Sequence, residues 1–167
     1  MAKQWWEQDA PPEGYLAVEA KRGREFILRI VNDQDLVKTI KTFAKDKKIG
    51  IAKIHAAFMG GFQPARYLIW AKDTKDPDNI MHEEVAELHN LSMLLSMSGI
   101  IQPSGEEGED PVVKIHFATG GGWDCPTVGG HIAEGSIVKG MFCVYITELI
   151  GLEFLHQVGV EDWFKEA

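Results

Sequence analysis

Apolar and polar residues alternate along much of this chain, and a period of two predicts strands. Residues 25–31 (EFILRIV) have the β-branched and aromatic content of one. Residues 50–58 and 65–71 read as two more, with Gly60, Gly61 and Pro64 marking the turn between them. In residues 91–101, Leu91, Met93, Leu95 and Met97 alternate with their neighbours, predicting a strand that ends near Gly99. Residues 112–118 and 136–149 predict strands on either side of a glycine-rich segment, and residues 15–20 alternate more weakly. Residues 82–91 fit helix and strand equally.

The one clear helical period comes after the first strong strand. Leu36, Val37, Ile40, Phe43 and Ala44 fall on one face, and Asn32 or Asp33 is placed to cap the first turn. Lys38, Lys41, Lys45 and Lys48 form a second stripe, read as the solvated face of an amphipathic helix. Residues 151–167 predict a short terminal helix or an arm anchored by Phe154, Leu155, Trp163 and Phe164. Residues 1–14 form a polar tail whose Trp5 and Trp6 are expected to dock on the body or on a neighbouring subunit. About seven strands against one or two helices, joined mostly by connections too short for crossovers, predict one compact domain over residues 15–150. Its class is α/β in the broad sense, α+β in detail, with a mainly antiparallel or mixed sheet.

Composition narrows the partners. The 167 residues suit one domain with a hydrophobic core, and 45% apolar with 25% charged residues is ordinary for a globular protein. The formal net charge of −8 argues against direct contact with DNA phosphates unless a local patch or a partner supplies the cations. Two cysteines, Cys125 and Cys143, with no CxxC, give neither a zinc ribbon nor a disulfide framework. No signal-peptide pattern and no run long enough to span a bilayer are present, so a reduced, cytoplasmic protein is expected.

The chemistry concentrates in residues 112–134, VVKIHFATGGGWDCPTVGGHIAE. Strand alternation puts Val113, Ile115 and Phe117 on one face and Lys114 and His116 on the other. Gly129 and Gly130 then bring the backbone round before His131. Two imidazoles converging from separate segments form half of a transition-metal site, with zinc the expected ion. The third ligand would be His55, Glu134, Cys125, water or a residue of another subunit, and His55 is the best protein candidate. Glu134 serves equally as a group orienting a ligand or as a general base. The alternative is that both histidines bond to backbone and tie down the loop. His82, His89 and His156 lack a partner at a recognisable spacing. Gly120, Gly121 and Gly122 are not a phosphate loop, because no Lys-Ser/Thr pair and no helical pattern follow. Lys21-Arg22-Gly23-Arg24 is not an AT-hook, because Glu25 stands where that motif has proline and leads into a strand.

Together, RGREFILRI (22–30), the following DLVKTIKTFAKDKKI, GIAKIHAAF (50–58), LLSMSGII (94–101), KIHFAT (114–119) and GGHIAEGSIV (129–138) resemble the PPC (or PCC) domain, "plants and prokaryotes conserved". In plants this domain follows AT-hooks in nuclear proteins; in bacteria and archaea it stands alone. The resemblance covers roughly residues 15–150 and implies a mainly antiparallel α/β domain assembling as a homotrimer. Prokaryotic members often carry HxH where this chain has Lys114-Ile115-His116, and GGH is kept as Gly129, Gly130 and His131. In members that bind metal these histidines are ligands, so Lys114 places an ammonium where a ligand would stand. Met93 stands where an acidic residue is common.

The resemblance implies a stand-alone, DNA-associated binding and assembly module of prokaryotic type. One alternative is a zinc-dependent lyase or hydrolase acting on a small molecule, with His116, His131 and His55 as ligands and Glu134 as acid or base. The domain's fold also resembles that of acetolactate decarboxylase, which holds zinc through histidines. A further alternative is a trimer-interface pocket for a small anion paired with Lys114.

Overall fold

The computed structural model describes residues 17–72, 81–104, 108–121, 125–155 and 163–167. The chain runs β1 (Lys21–Ile30), α1 (Leu36–Asp46), β2 (Ala52–Phe58), β3 (Gly61–Phe62), β4 (Ala65–Lys72) and β5 (Met81–Leu88). It continues β6 (Ser92–Gln102), β7 (Val112–Gly120), β8 (Val128–Ile132), β9 (Val138–Lys139), β10 (Phe142–Ile150), β11 (Leu152–Leu155) and β12 (Trp163–Glu166). Ten strands form one sheet whose main path is β1-β10-β2-β6-β7-β8-β4-β5, with β3 and β9 paired beside it. Its ladders are antiparallel.

The described residues hold twelve strands where about seven were expected. β3 and β9 are two residues each, too short for any period to show. Residues 136–149 split because Gly140, at φ 77°, turns the chain between β9 and β10. β8 arises inside what the sequence presents as a glycine-rich loop. Residues 82–88 resolve as strand, and 17–20 have no regular structure. The expected terminal helix or arm is a two-stranded hairpin, β11 against β12, following Gly151 at φ 77°. Trp5, Trp6 and Trp123 lie outside the described residues.

Helix α1 is capped by Asp35, not by Asn32 or Asp33. Asp33 is in the left-handed region at φ 66° and its carboxylate pairs with Lys139, so it serves the turn rather than the helix. Asp35 is extended, and one carboxylate oxygen accepts from the Lys38 amide at 3.1 Å. The other accepts from the Gly135 amide at 2.7 Å, tying the helix start to the loop after β8. That loop is held again by Ser136, whose buried hydroxyl accepts from the Arg66 amide and donates to the Arg66 carbonyl, both at 2.9 Å.

The helix buries Leu36, Val37, Ile40 and Ala44 against one face of the sheet. Ile30, Ile54, Ile101, Ile115, Phe117, Ile132, Phe142, Val144 and Ile146 are among the sheet residues of that core. Each such side chain contributes on the order of 1.5–3 kcal/mol by leaving water. Among the described residues the opposite face is bare. There Ile27, Trp70 and Leu95 are 71%, 55% and 52% exposed, and Val85 and Tyr145 lie open beside them. Replacing Asp35 by alanine removes the cap and the Gly135 contact together. Urea unfolding of Asp35→Ala is expected to show a loss of about 1–2 kcal/mol with an unchanged m-value.

Candidate functional site

The histidine pair lies on the bare face. Val113, Ile115 and Phe117 point into the core, so the alternation of β7 forces His116 outward. Antiparallel pairing of β7 with β8 sets His131 directly opposite His116. Their rings meet edge to face, with centroids 5.5 Å apart at 84°. The same row continues to Ser98 on β6, and through Leu68 on β4 to Val85 on β5.

The pair opens into a shallow cleft of about 300 Å³, lined also by Leu68, Ile69, Trp70, Glu83, Gly129 and Gly130. The two glycines shape it by what they lack. A Cβ on Gly129 would stand 2.6 Å from the Phe117 carbonyl oxygen, and one on Gly130 would stand 2.5 Å from that of Leu68. Their part is to let β8 fit between β7 and β4 and to leave the cleft floor free of side chains.

The electrostatics favour a neutral His131. Its pKa lies below the ordinary value of 6.5, first because it is half-buried, then because protonated His116 would repel it. Lys114 adds to the lowering and Glu83 opposes it. Glu83 is the member of this cleft that sequence reasoning missed. It faces the site because it stands opposite Trp70 in the β4–β5 ladder, a pairing invisible in a segment that fitted helix and strand equally.

The other candidates go elsewhere. Lys114 shares the outward face of β7 with His116, opposite Ile100 of β6. His55 is outward on β2, but its Nε2 is 2.7 Å from the Thr147 hydroxyl on β10, on the side away from the pair. Its cleft shares no lining residue with that of His116 and His131. Glu134 faces α1, where it accepts from Lys41 Nζ at 2.7 Å, and that bond holds its carboxyl below the usual range. It is therefore not positioned as acid, base or orienting group for the histidines. Cys125 contacts the Pro126 carbonyl and lines no part of the cleft. His89 pairs with Glu87 at 3.0 Å, and His156 lies outside the described residues.

Two neutral imidazoles supply half of a zinc coordination shell. Among the described residues no three histidine, cysteine, aspartate or glutamate side chains gather into a metal-holding group. Two lysines of the helix stripe are neutralised by carboxylates. Lys41 is paired with Glu134, and Lys45 with Asp110 at 2.6 Å. Among the described residues no helix is long and apolar enough to cross a membrane.

Solved structures share this fold. A plant- and prokaryote-conserved (PPC) protein from Pyrococcus horikoshii superposes with a TM-score of 0.68 at 21% identity, over 89% of this chain and 96% of its own. A metal-containing protein from Archaeoglobus fulgidus gives 0.63 at 25% identity, over 81% and 86%. A "putative DNA binding protein" from Bacteroides thetaiotaomicron gives 0.62 at 15% identity, over 87% and 96%. No curated protein matches the chain. Residues 17–150, which hold the whole ten-stranded sheet and the helix, match the Plants and Prokaryotes Conserved (PCC) domain, and the chain belongs to that family.

Proposed function

We propose that this protein is a self-assembling binding module, a homotrimer in which neighbouring subunits cover the bare sheet face around His116 and His131. The observation that carries this reading is the uncovered apolar surface. Ile27, Trp70, Val85, Leu95 and Tyr145 share the face with the histidines, and a soluble chain rarely leaves so much apolar surface in water without a partner. A cyclic trimer joins unlike patches, and the β1–β10–β2 and β8–β4–β5 halves of the face carry different residues. DNA association, the property for which the Bacteroides relative is named, runs through a partner here. The charge of −8 and the carboxylate-paired lysines support that indirect route.

A second reading has its own support. A neutral His131 suits metal ligation, and the Archaeoglobus relative is named metal-containing. In this reading His116 and His131 hold a divalent ion whose remaining ligands are water or a neighbouring subunit's side chains.

Light scattering is expected to give three chains per particle, and Trp70→Asp to shift the protein toward monomer while keeping its circular dichroism. A monomeric wild type would remove the assembly reading. In band shifts at moderate salt, the protein alone should retard duplex DNA no more than an acidic control protein does.

The histidines make a pH prediction. His131 should titrate below 6.5 by NMR, and His116→Ala should move its midpoint back up. Because the folded value is depressed, stability is full above the ordinary value and falls as pH drops through the folded one. Zinc bound at the pair should push the midpoint lower still. A bound anion should push it higher, which separates a metal from the anion that Lys114 suggests.

A further inference from the structure

His55 belongs to a second constellation, separate from the histidine pair. In the β2–β10 ladder, Tyr145 pairs with Ala56 and Ile146 with Ile54, so His55 is the extra residue of a β-bulge. Bulges re-aim side chains, and this one turns the imidazole toward β10. There Nε2 meets the Thr147 hydroxyl at 2.7 Å, and that hydroxyl donates to Glu25 Oε1 at 3.3 Å. Arg22 closes the chain with a 3.1 Å ion pair to the same Glu25 oxygen.

The direction of these bonds fixes the proton. Thr147 is 5% exposed and has one hydroxyl hydrogen, which goes to the carboxylate. Its oxygen must then accept from His55, so the imidazole carries its hydrogen on Nε2. That leaves Nδ1 as a lone-pair acceptor, and no described residue hydrogen-bonds to it. The ring opens into a cleft of about 440 Å³ between β1, β10 and β2, lined by Ile27, Tyr145 and Arg22 as well as the relay.

We propose that this cleft binds a small, flat aromatic molecule bearing an acidic O–H or N–H, of which a phenol is the simplest case. The ligand's hydrogen goes to His55 Nδ1, and its ring lies against Ile27 and Tyr145. Arg22 offsets the negative charge drawn onto the ligand oxygen. This site needs neither a metal nor the His116–His131 pair, but it shares Ile27 and Tyr145 with the face that the assembly reading covers. Binding is therefore measured on the monomeric Trp70→Asp variant as well as on the wild type, and absence from both counts against the site.

The test uses the full-length wild-type protein and 4-nitrophenol as probe, followed by calorimetry and by its absorbance. Saturable binding is expected. It should weaken at least tenfold in His55→Ala, weaken several-fold in Thr147→Val, and stay unchanged in His131→Ala. Nitrogen-resolved NMR should show the Nε2–H tautomer of His55 in the wild type and its loss in Thr147→Val, with circular dichroism unchanged in both variants. Absence of saturable binding from both the wild type and Trp70→Asp, equal binding by His55→Ala, or an Nδ1–H tautomer in the wild type would each overturn the proposal.

Discussion

A sheet has two faces, and the described residues supply one helix to cover them. Burial of Leu36, Val37, Ile40 and Ala44 against the sheet satisfies one side and fixes the register of everything on it. Because that face takes the apolar member of each alternating pair, the residues with chemistry are driven to the other. His116, His131, Glu83, Lys114, His55 and Thr147 all reach the bare face in this way. The candidate site is thus less a pocket carved into the domain than a consequence of which side the helix took.

Much of this was legible in the sequence, and the limits have physical causes. β1, β6, β7 and the apolar stripe of α1 were readable because their periods run long enough to repeat. The outward placement of His116 followed directly from Val113, Ile115 and Phe117. The β-hairpin at residues 152–166 was misread because Phe154, Leu155, Trp163 and Phe164 are equally good anchors for a helix or an arm. β3 and β8 are set by pairing rather than by local pattern, so no window of sequence could show them. The cap went to Asp35 because Asp33 was drawn into the turn with Lys139, a contact 106 residues away along the chain.

The site was legible only in part for the same reason. Cross-strand opposition of His116 and His131 depends on register, and register is decided by Gly129 and Gly130 fitting against the Phe117 and Leu68 carbonyls. His55 is a third-ligand candidate in the sequence because it lies mid-strand in residues 50–58. A single inserted residue in the ladder turned it toward Thr147 instead. Glu134, two residues beyond β8, was captured by Lys41 on the helix side. Proximity along the chain misled for Glu134, since a turn reverses sides.

The hairpin after Gly151 lies wholly outside residues 17–150 and forms a sheet of its own. Two strands of four residues are marginal by themselves. The family match therefore rests on the ten-stranded sheet and the helix, and the packing of Leu152–Leu155 against Trp163–Glu166 adds nothing to the register of that sheet.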